Sequence, residues 1–280
     1  MKDGVDSAVD GGLHQGVARL DLLLSALGTA PRDGMRLADV CRVTGLNKAT
    51  VHRLLAGLVA YRLADQDDAT GRYFVGLKII GWARAAEHRH GLDRLFLPAL
   101  RRLAERFGDV AYMSLRVGDE AACVARIEGA YPIKSLALDV GDRRPLGIGA
   151  INLAILAALP EDEIDRIMVE GAAARRAFTI SDEKLRQLII ATRQSGFASV
   201  DGLIVPGLCT VAVPVLRDDG MPLAGISLSA IRDRMDPSRQ QTVALAIAEE
   251  IAGIGKACGY LGAPATLAGW PWPGGRDPAA

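Results

Sequence analysis

The chain contains 280 residues, with 33 Lys and Arg residues balanced by 33 Asp and Glu residues, so its formal net charge is zero. This balance excludes a chain-wide field that would attract nucleic acid, and any DNA binding must come from a local basic patch. The length allows two domains, and no apolar run approaches the roughly 18 residues of a membrane-spanning helix.

The first twelve residues are acidic and rich in glycine, without the apolar segment of a secretory signal peptide, so we expect a cytoplasmic protein that is not bound to a membrane. The four cysteines are widely separated, which predicts neither a disulfide framework nor a zinc site. All four histidines precede residue 91, so later residues cannot form a Ser-His-Asp, Cys-His or histidine-rich metal site. Nucleotide-binding glycine motifs are also absent, and no cofactor or metal is predicted.

In chain order, residues 1–12 and 261–280 are predicted to be disordered, and a first helix is predicted over residues 13–27. An inner apolar stripe of Val17, Leu20, Leu24 and Leu27 indicates that this helix packs across the next two.

The segment 37–61, LADVCRVTGLNKATVHRLLAGLVAY, has the pattern of two short helices joined by a tight turn. Gly45 lies in the turn, where we expect a positive φ, and Leu46 fills the gap between the helices. Asn47 is a suitable N-cap for the second helix. The segment is therefore typical of a helix-turn-helix.

The second helix separates an apolar face from a basic face with small residues. Val51, Leu54, Leu55 and Leu58 lie on one side, whereas Ala49 and Arg53 lie opposite, and residues 47–62 contain no acidic side chain. Arginine can pair with guanine edges, and small methyl groups can contact thymine, which favours a DNA-recognition helix. The alternative is an amphipathic helix whose basic face is only solvated. The predicted DNA-contacting residues are Asn47, Lys48, Ala49, Thr50, His52, Arg53, Arg62 and Arg72.

Two short extended runs, 63–66 and 72–75, flank a turn rich in Asp, Thr and Gly, which predicts a β-hairpin. At this position the hairpin is a wing. Arg72 and Arg62 can contact phosphates there, which sets affinity and orientation but not sequence preference. Arg72 can equally be an ordinary surface charge, and the sequence leaves both interpretations open.

The rest of the chain is predicted to be mixed. A linker helix over 77–91 precedes an amphipathic helix over 92–107, and strands are predicted over 110–117, 121–127, 133–138, 209–216 and 223–230. Helices are predicted over 149–159, 161–170, 181–195 and 237–258. Turn residues between neighbouring strands indicate antiparallel hairpins, with the helices packed on the sheet.

Several segments together resemble one known family: TGLNKATVHRLL, the wing DDATGRYFVGLKIIG, and the downstream VGDRRPLGIGAINLAILAALP and GLCTVAVPVLRDDGMPLAGISLS. In this order and spacing, over about residues 14–260, the chain resembles the IclR family of bacterial transcriptional regulators. The resemblance implies an α+β fold, with a winged helix-turn-helix domain over 13–76, a linker helix over 77–91 and a GAF-like α/β effector-binding domain over 92–260. It also implies homodimers or homotetramers that bind double-stranded DNA operators, with a small organic acid or aromatic metabolite as effector.

The resemblance further implies a ligand pocket in the second domain. The positions that correspond to the family pocket are Leu136, Leu146, Gly149, Ala150, Ile151, Asp201, Leu208, Thr210, Ser227 and Ser229. Ser227 and Ser229 are two apart on a strand and face the same side, so their hydroxyls can hold a carboxylate or hydroxyl. Backbone N–H groups at the start of the helix near Gly149 can hold an anion. The alternative is that both serines are satisfied within the sheet.

The chain departs from the family pattern at three places. Gly147 stands where a histidine is common, and Asn152-Leu153 stands where Gly-Lys is frequent. Arg62 replaces a glycine that usually follows the recognition helix. The first two departures bear on the identity and charge of the effector, and the third bears on the approach of the wing to DNA.

Two other functions are compatible with the sequence. The chain could be an enzyme with Cys209 as nucleophile, although no histidine base is present in that domain and a small apolar-strand cysteine is usually a core residue. Alternatively, it could be a regulator whose second domain serves only oligomerisation.

Overall fold

The computed structural model describes residues 13–31, 33–90, 92–134, 137–178, 180–258 and 261. The chain divides into two units, Met1–His90 and Gly91–Ala280, and the division falls at the end of the helix predicted to be the linker. The disorder predicted for 1–12 and for nearly all of the tail lies outside the described residues, as does Leu136. Leu261, the first residue of the predicted tail, forms an antiparallel bridge with Arg217.

The N-terminal unit is a winged helix-turn-helix. Its elements are α1 (Leu13–Gly28), α2 (Leu37–Thr44), α3 (Lys48–Ala60), β1 (Ala64–Gln66), β2 (Tyr73–Val75) and α4 (Lys78–His90). β1 and β2 pair antiparallel, as predicted. Met35 adds an antiparallel bridge to Tyr73, which attaches the hairpin to the segment before α2.

The turn between α2 and α3 has the predicted geometry. Gly45 has φ 68° and caps α2, and its N–H donates to the Cys41 carbonyl at 2.9 Å. Asn47 caps α3, with its side-chain oxygen accepting from the Thr50 N–H at 2.9 Å. Leu46 is half-buried and packs against the core of the unit.

The apolar stripe predicted for α1 was wrong in part. Val17 is 66% exposed, whereas Leu27 is buried as predicted and Leu20 and Leu24 are partly buried against the core. Leu23 and Ala26, which the prediction did not include, are also buried. The leucine-rich sequence of α1 permits more than one apolar stripe on a helical wheel. Packing against α2 and β2 selects the face that contains Leu23.

The C-terminal unit is built on a six-stranded antiparallel sheet with strand order β5-β4-β3-β8-β7-β6. The strands are β3 (Val110–Val117), β4 (Glu120–Ile127), β5 (Arg143–Pro145), β6 (Ala198–Asp201), β7 (Leu208–Leu216) and β8 (Pro222–Ile231). β3 with β4 and β7 with β8 form two hairpins, and the pairing of β3 with β8 joins them at the centre.

Helices cover both faces of this sheet. They are α5 (Leu97–Phe107), preceded by a π-helical turn over Leu92–Phe96, α6 (Ala150–Ala157), α7 (Glu161–Glu170), α8 (Ala172–Arg175), α9 (Asp182–Ser195) and α10 (Pro237–Cys258). Short 3₁₀ segments cover Arg176–Phe178 and Arg232–Arg234. α5 and α10 share one core with the sheet, whereas α6, α7 and α9 share a second core. Every residue of α6 is buried, because α6 lies between the sheet and the two outer helices.

Two strand predictions need correction. The described residues within 133–138 form no strand, and the third strand of this region is instead β5 at Arg143–Pro145. β6 was not predicted at all. Both β5 and β6 are short edge strands of three and four residues, and they exist because they pair with β4 and β7 rather than because of a local apolar pattern.

A buried cluster of charged side chains links α5, β3 and α10 in the C-terminal unit. Asp109, 3% exposed, lies between α5 and β3 and accepts from Arg234 Nε at 3.1 Å and from Arg239 Nη2 at 2.6 Å. Both guanidinium groups also donate to the Phe107 carbonyl at 3.0 Å. The cluster thus ties the start of α10 to the end of α5 and the start of β3.

Candidate functional site

The outward face of α3 is basic and carries small side chains. Lys48, Ala49, His52 and Arg53 are exposed, and Thr50 is half-buried. The opposite face holds Val51, Leu55 and Leu58, each at most 2% exposed, which fixes the rotation of the helix about its axis. The predicted contact residues on α3 are therefore brought together on one accessible surface.

The wing is closed by side-chain hydrogen bonds at its tip. Asp67 accepts from the Thr70 backbone N–H at 2.7 Å and from the Thr70 hydroxyl at 2.8 Å. These bonds, the hydroxyl bond first, hold the pKa of Asp67 below its usual value.

Arg72 is half-buried and is used inside the unit. Its Nη1 donates to the Gly34 carbonyl at 2.8 Å and lies 3.0 Å from Asp33 Oδ2. This guanidinium therefore anchors the wing to the turn before α2, an interaction that the sequence does not reveal.

Arg62 is exposed and has a left-handed backbone, with φ 62°. Among the described residues it is the only non-glycine residue with positive φ. Its carbonyl packs closely against Gly76, where an added Cβ would lie 2.3 Å from the Arg62 oxygen. Arginine therefore occupies at this position a left-handed backbone conformation, the region that glycine favours.

The C-terminal unit contains a cavity of about 70 Å³ between the sheet and the start of α6. Strands β3, β7 and β8 form its floor, α6 and the residues before it form one wall, and the segment between β6 and β7 contributes Leu203, Ile204 and Val205. Seven of the ten predicted ligand residues line it: Gly149, Ala150, Ile151, Leu208, Thr210, Ser227 and Ser229.

The other three predicted ligand residues are placed differently. Leu146 is fully buried in the core around α6 and does not line the cavity. Asp201 is exposed at the end of β6 and accepts from Arg232 Nε at 2.7 Å. Leu136 lies outside the described residues.

Strand register assembles a polar floor in the cavity. Tyr112 on β3 lies opposite Ser227 on β8, and Ser229 lies opposite Thr210 on β7. The Thr210 and Ser229 hydroxyl oxygens are 2.8 Å apart and share a hydrogen bond. Ser229 is therefore partly satisfied within the sheet, while Ser227 is 2% exposed and borders the cavity.

Sequence reasoning missed Tyr112, Arg144 and Asn152 as cavity residues. Asn152 Nδ2 donates to the carbonyls of Arg144 and Pro145 at 2.6 and 3.1 Å, which holds β5 against the first turn of α6. The departure of Asn152 from the family pattern was a signal that could have identified it.

Cys209 is a poor candidate nucleophile. It is 1% exposed, and burial raises the pKa of its thiol above the usual value. A high pKa and a lack of access both oppose thiolate chemistry at neutral pH. The described part of the chain also contains no group of three or more His, Cys, Asp or Glu residues placed to hold a metal ion.

Comparison with known families accounts for both units. The IclR helix-turn-helix domain matches residues 16–68, and the bacterial transcriptional regulator IclR C-terminal domain matches residues 84–253. The chain belongs to the IclR family. This IclR-family chain is a transcriptional regulator with a helix-turn-helix DNA-binding domain, and its predicted fold class is confirmed.

Individual relatives of the IclR-family chain are similar over most of their length. The transcriptional regulator KipR of Bacillus subtilis is 26% identical over 231 residues, which is 82% of this chain and 92% of KipR. An IclR transcriptional regulator from Alicyclobacillus acidocaldarius has a TM-score of 0.73 at 24% identity, covering 87% of this chain and 98% of that one. An IclR homolog from Microbacterium hydrocarbonoxydans, in complex with 4-hydroxybenzoate, has a TM-score of 0.63 at 19% identity, covering 85% of this chain and 98% of that one.

No helix among the described residues of the IclR-family chain is both long and apolar enough to cross a membrane.

Proposed function

We propose that this chain binds an operator with α3 in the DNA major groove, and that a small organic acid or aromatic metabolite in the C-terminal cavity changes its operator affinity. The observation that carries the proposal is the exposed face of α3, where Lys48, Ala49, His52 and Arg53 stand together on a winged helix-turn-helix. Small side chains let such a helix approach the base edges closely.

The predicted contacts have different roles. Arg53 is directed to a guanine edge, and the methyl groups of Ala49 and Thr50 are suited to thymine. Asn47 and Lys48 lie at the start of α3, where backbone N–H groups also favour phosphate. Arg62 contacts phosphate beside the wing, and His52 flanks the base-reading face. Because Arg72 is anchored to Asp33 and Gly34, we assign it first to wing placement and only second to phosphate contact.

The second half of the proposal rests on the cavity beside α6. Apolar walls with a polar floor suit a compact metabolite, and the Microbacterium relative holds 4-hydroxybenzoate. An effector changes operator affinity only by binding the DNA-competent and DNA-incompetent states differently. We further propose that the chain acts as a homodimer or homotetramer on operators with two-fold character, since two copies of α3 then read two half-sites.

The test of DNA recognition compares Arg53→Ala with Arg217→Ala. Arg217 is exposed, lies at the start of the β7–β8 turn and is paired with Asp219. Full-length protein is titrated with DNA from upstream of its own gene. If that DNA is not bound selectively, a binding site is first selected from genomic fragments and used instead. Loss of the guanine contact is expected to weaken specific binding by about 1–3 kcal/mol and to relax sequence preference at one position.

Arg217→Ala removes the same charge and is expected to bind the selected site like the original chain. Equal affinity of Arg53→Ala and the original chain would exclude Arg53 from base readout. If neither upstream DNA nor any selected fragment is bound in preference to an unrelated duplex, the proposal fails.

An alternative is that the C-terminal domain serves only oligomerisation. That alternative predicts no ligand-dependent rise in melting temperature, whereas an effector stabilises the folded chain by RT ln(1 + [L]/Kd). A metabolite screen by thermal unfolding therefore separates the two.

A further inference from the structure

One wall of the cavity is formed by residues 202–207, which connect β6 to β7 and belong to neither a helix nor a strand. Three apolar side chains of this segment, Leu203, Ile204 and Val205, line the cavity. Leu203 and Ile204 are half-buried, whereas Val205 is exposed. The segment therefore lies between the cavity and the solvent and is only partly packed.

A glycine in the left-handed backbone region stands at each end of the segment. Gly202 has φ 68° and Gly207 has φ 82°, and glycine adopts such angles without the steric cost that a Cβ brings. Between them, the backbone N–H groups of Leu203, Ile204 and Val205 donate no hydrogen bond to any residue that the structure describes. The middle of the segment is thus held mainly by side-chain packing, and a segment with few hydrogen bonds opens at a low free-energy cost.

Arg232 contacts both ends of the segment. Its backbone N–H donates to the Gly207 carbonyl at 2.8 Å, and its Nε donates to Asp201 Oδ1 at 2.7 Å, directly before Gly202. A Cβ added at Gly202 would lie 2.9 Å from Arg232 Nη2, so the guanidinium packs against this glycine. A single residue therefore joins the two ends of the segment.

Arg232 is itself held in place by the buried cluster of charged side chains. It begins the 3₁₀ segment Arg232–Arg234. The last residue of that segment donates through Nε to the buried Asp109 at 3.1 Å and through Nη2 to the Phe107 carbonyl at 3.0 Å. The contact with residues 202–207 is thus made from a fixed support and not from a free surface side chain.

We propose that residues 202–207 form a gate over the cavity and that the gate opens by backbone rotation at Gly202 and Gly207. Arg232 is the positioning residue that keeps the gate closed, and Asp201 acts through Arg232 rather than on the ligand. The inference rests on the proposed effector role of the cavity, and it assigns the path by which a small metabolite enters and leaves.

The ion pair and the glycine backbone predict effects of different size. Both side chains of the Asp201–Arg232 pair are exposed, so loss of this pair increases the population of the open gate only about threefold. Gly207→Ala places a Cβ at φ 82° in the closed gate, which disfavours closure about tenfold. A Cβ added at Gly207 meets no atom within 4 Å, so this strain is in the backbone alone.

The experiment measures access to the cavity in the full-length protein carrying Ser227→Cys. Ser227 lies on the cavity floor and is buried, so a thiol at this position reacts with methyl methanethiosulfonate only when the gate is open. Peptide mass spectrometry follows modification at position 227 and also at Cys123, which is buried in the core around α6 and does not line the cavity. Modification of Cys123 reports general unfolding of the unit. When opening and closing are rapid, the ratio of two modification rates equals the ratio of open populations.

Two variants and two matched controls are compared in this background. Arg232→Ala should speed modification at position 227 about threefold and Gly207→Ala about tenfold, without a matching change at Cys123. The controls lie in the β7–β8 turn. Arg217→Ala removes a similarly exposed, ion-paired guanidinium, and Gly220→Ala places a Cβ at φ 81°. Both controls should leave the rate at position 227 unchanged.

An unchanged rate at position 227 in both Arg232→Ala and Gly207→Ala would overturn the inference. Equal acceleration in the controls, parallel acceleration at Cys123, or a rate at position 227 that already equals that of an unfolded chain would overturn it too. Acceleration in Gly207→Ala alone would overturn the role of Arg232.

These outcomes do not depend on any ligand. Loss of the gate would leave operator binding and stabilisation by metabolites as separate observations that support the proposed function. A metabolite screen without any stabilising compound would instead remove the effector role of the cavity.

Discussion

At the scale of single residues, Arg62 has the clearest conflict between side-chain type and backbone conformation. A left-handed conformation costs a non-glycine residue about 1–2 kcal/mol, and no asparagine-like side chain offsets it here. The close approach of Gly76 to the Arg62 carbonyl leaves little room for the backbone to relax. Strain at this junction between α3 and β1 is consistent with a side chain retained for DNA contact.

Arg62→Gly is expected to stabilise the N-terminal unit by about 1 kcal/mol, because relief of the left-handed strain exceeds the entropy that glycine gains on unfolding. Chemical denaturation followed in the N-terminal unit measures this change. Arg62→Ala is the matched control, since it removes the same charge but keeps a Cβ at positive φ, and it should give no such gain. Equal stability of the two variants would show that the strain relieved does not exceed the entropy that glycine gains on unfolding.

At the scale of elements, the Asp67 carboxylate stabilises the tip of the short hairpin that forms the wing. β1 and β2 have only three residues each, so the hydrogen bonds from Thr70 to Asp67 close the tip where the ladder ends. A lowered folded-state pKa means that this contribution is present above the unfolded pKa of Asp67 and is lost as pH falls through the folded pKa.

Thr70→Ala removes the hydroxyl donor but keeps the backbone N–H. The pKa of Asp67 should therefore rise toward its ordinary value, and the acid-side loss of wing protection should begin at higher pH. Carboxyl NMR titration and amide hydrogen exchange at the tip measure the two effects. Thr70→Ser, which keeps a hydroxyl, is the control, and an unaltered Asp67 pKa in Thr70→Ala would remove the hydroxyl bond as the main cause.

At the scale of the whole molecule, the chain has no net charge, so the DNA binding that we propose depends on local cations. If Lys48 and Arg62 of two protomers each neutralise one phosphate, log K should fall with log salt concentration with a slope of about −4. A single protomer would give about −2. Titration of the selected operator at several salt concentrations, with light scattering of the free protein, measures both the slope and the oligomeric state.

Arg62→Ala should reduce the magnitude of that slope by about 2 in a dimer, whereas Arg53→Ala should change sequence preference more than slope. The contrast separates phosphate contacts from base contacts. An Arg62→Ala variant with an unchanged slope would place Arg62 away from the DNA backbone.

Much of the DNA-binding unit was predictable because its signals are local. The Gly45 turn, the Asn47 cap and the Val51, Leu55 and Leu58 face all lie within about four helical turns of sequence. The stripe on α1 was not predictable to the residue, because a leucine-rich helix leaves its buried face to be chosen by its neighbours.

The cavity was predictable only in outline. Ser227 and Ser229 share a face because side chains alternate along a strand, which sequence spacing alone establishes. Their partners Tyr112 and Thr210 come from strands far apart in the chain, and only the pairing register sets them opposite one another.

The amino-acid sequence by itself determined that this chain carries a winged helix-turn-helix with a basic recognition face, joined to an α/β domain, since those features follow from local periodicity, turn chemistry and capping. Only the tertiary structure decided that Arg72 anchors the wing and that Arg144, rather than its neighbour Arg143, enters the cavity. The physical reason is that burial and pairing of a charge depend on which distant segments pack around it. Two adjacent arginines are equivalent until β5 pairs with β4 and α6 closes over one of them.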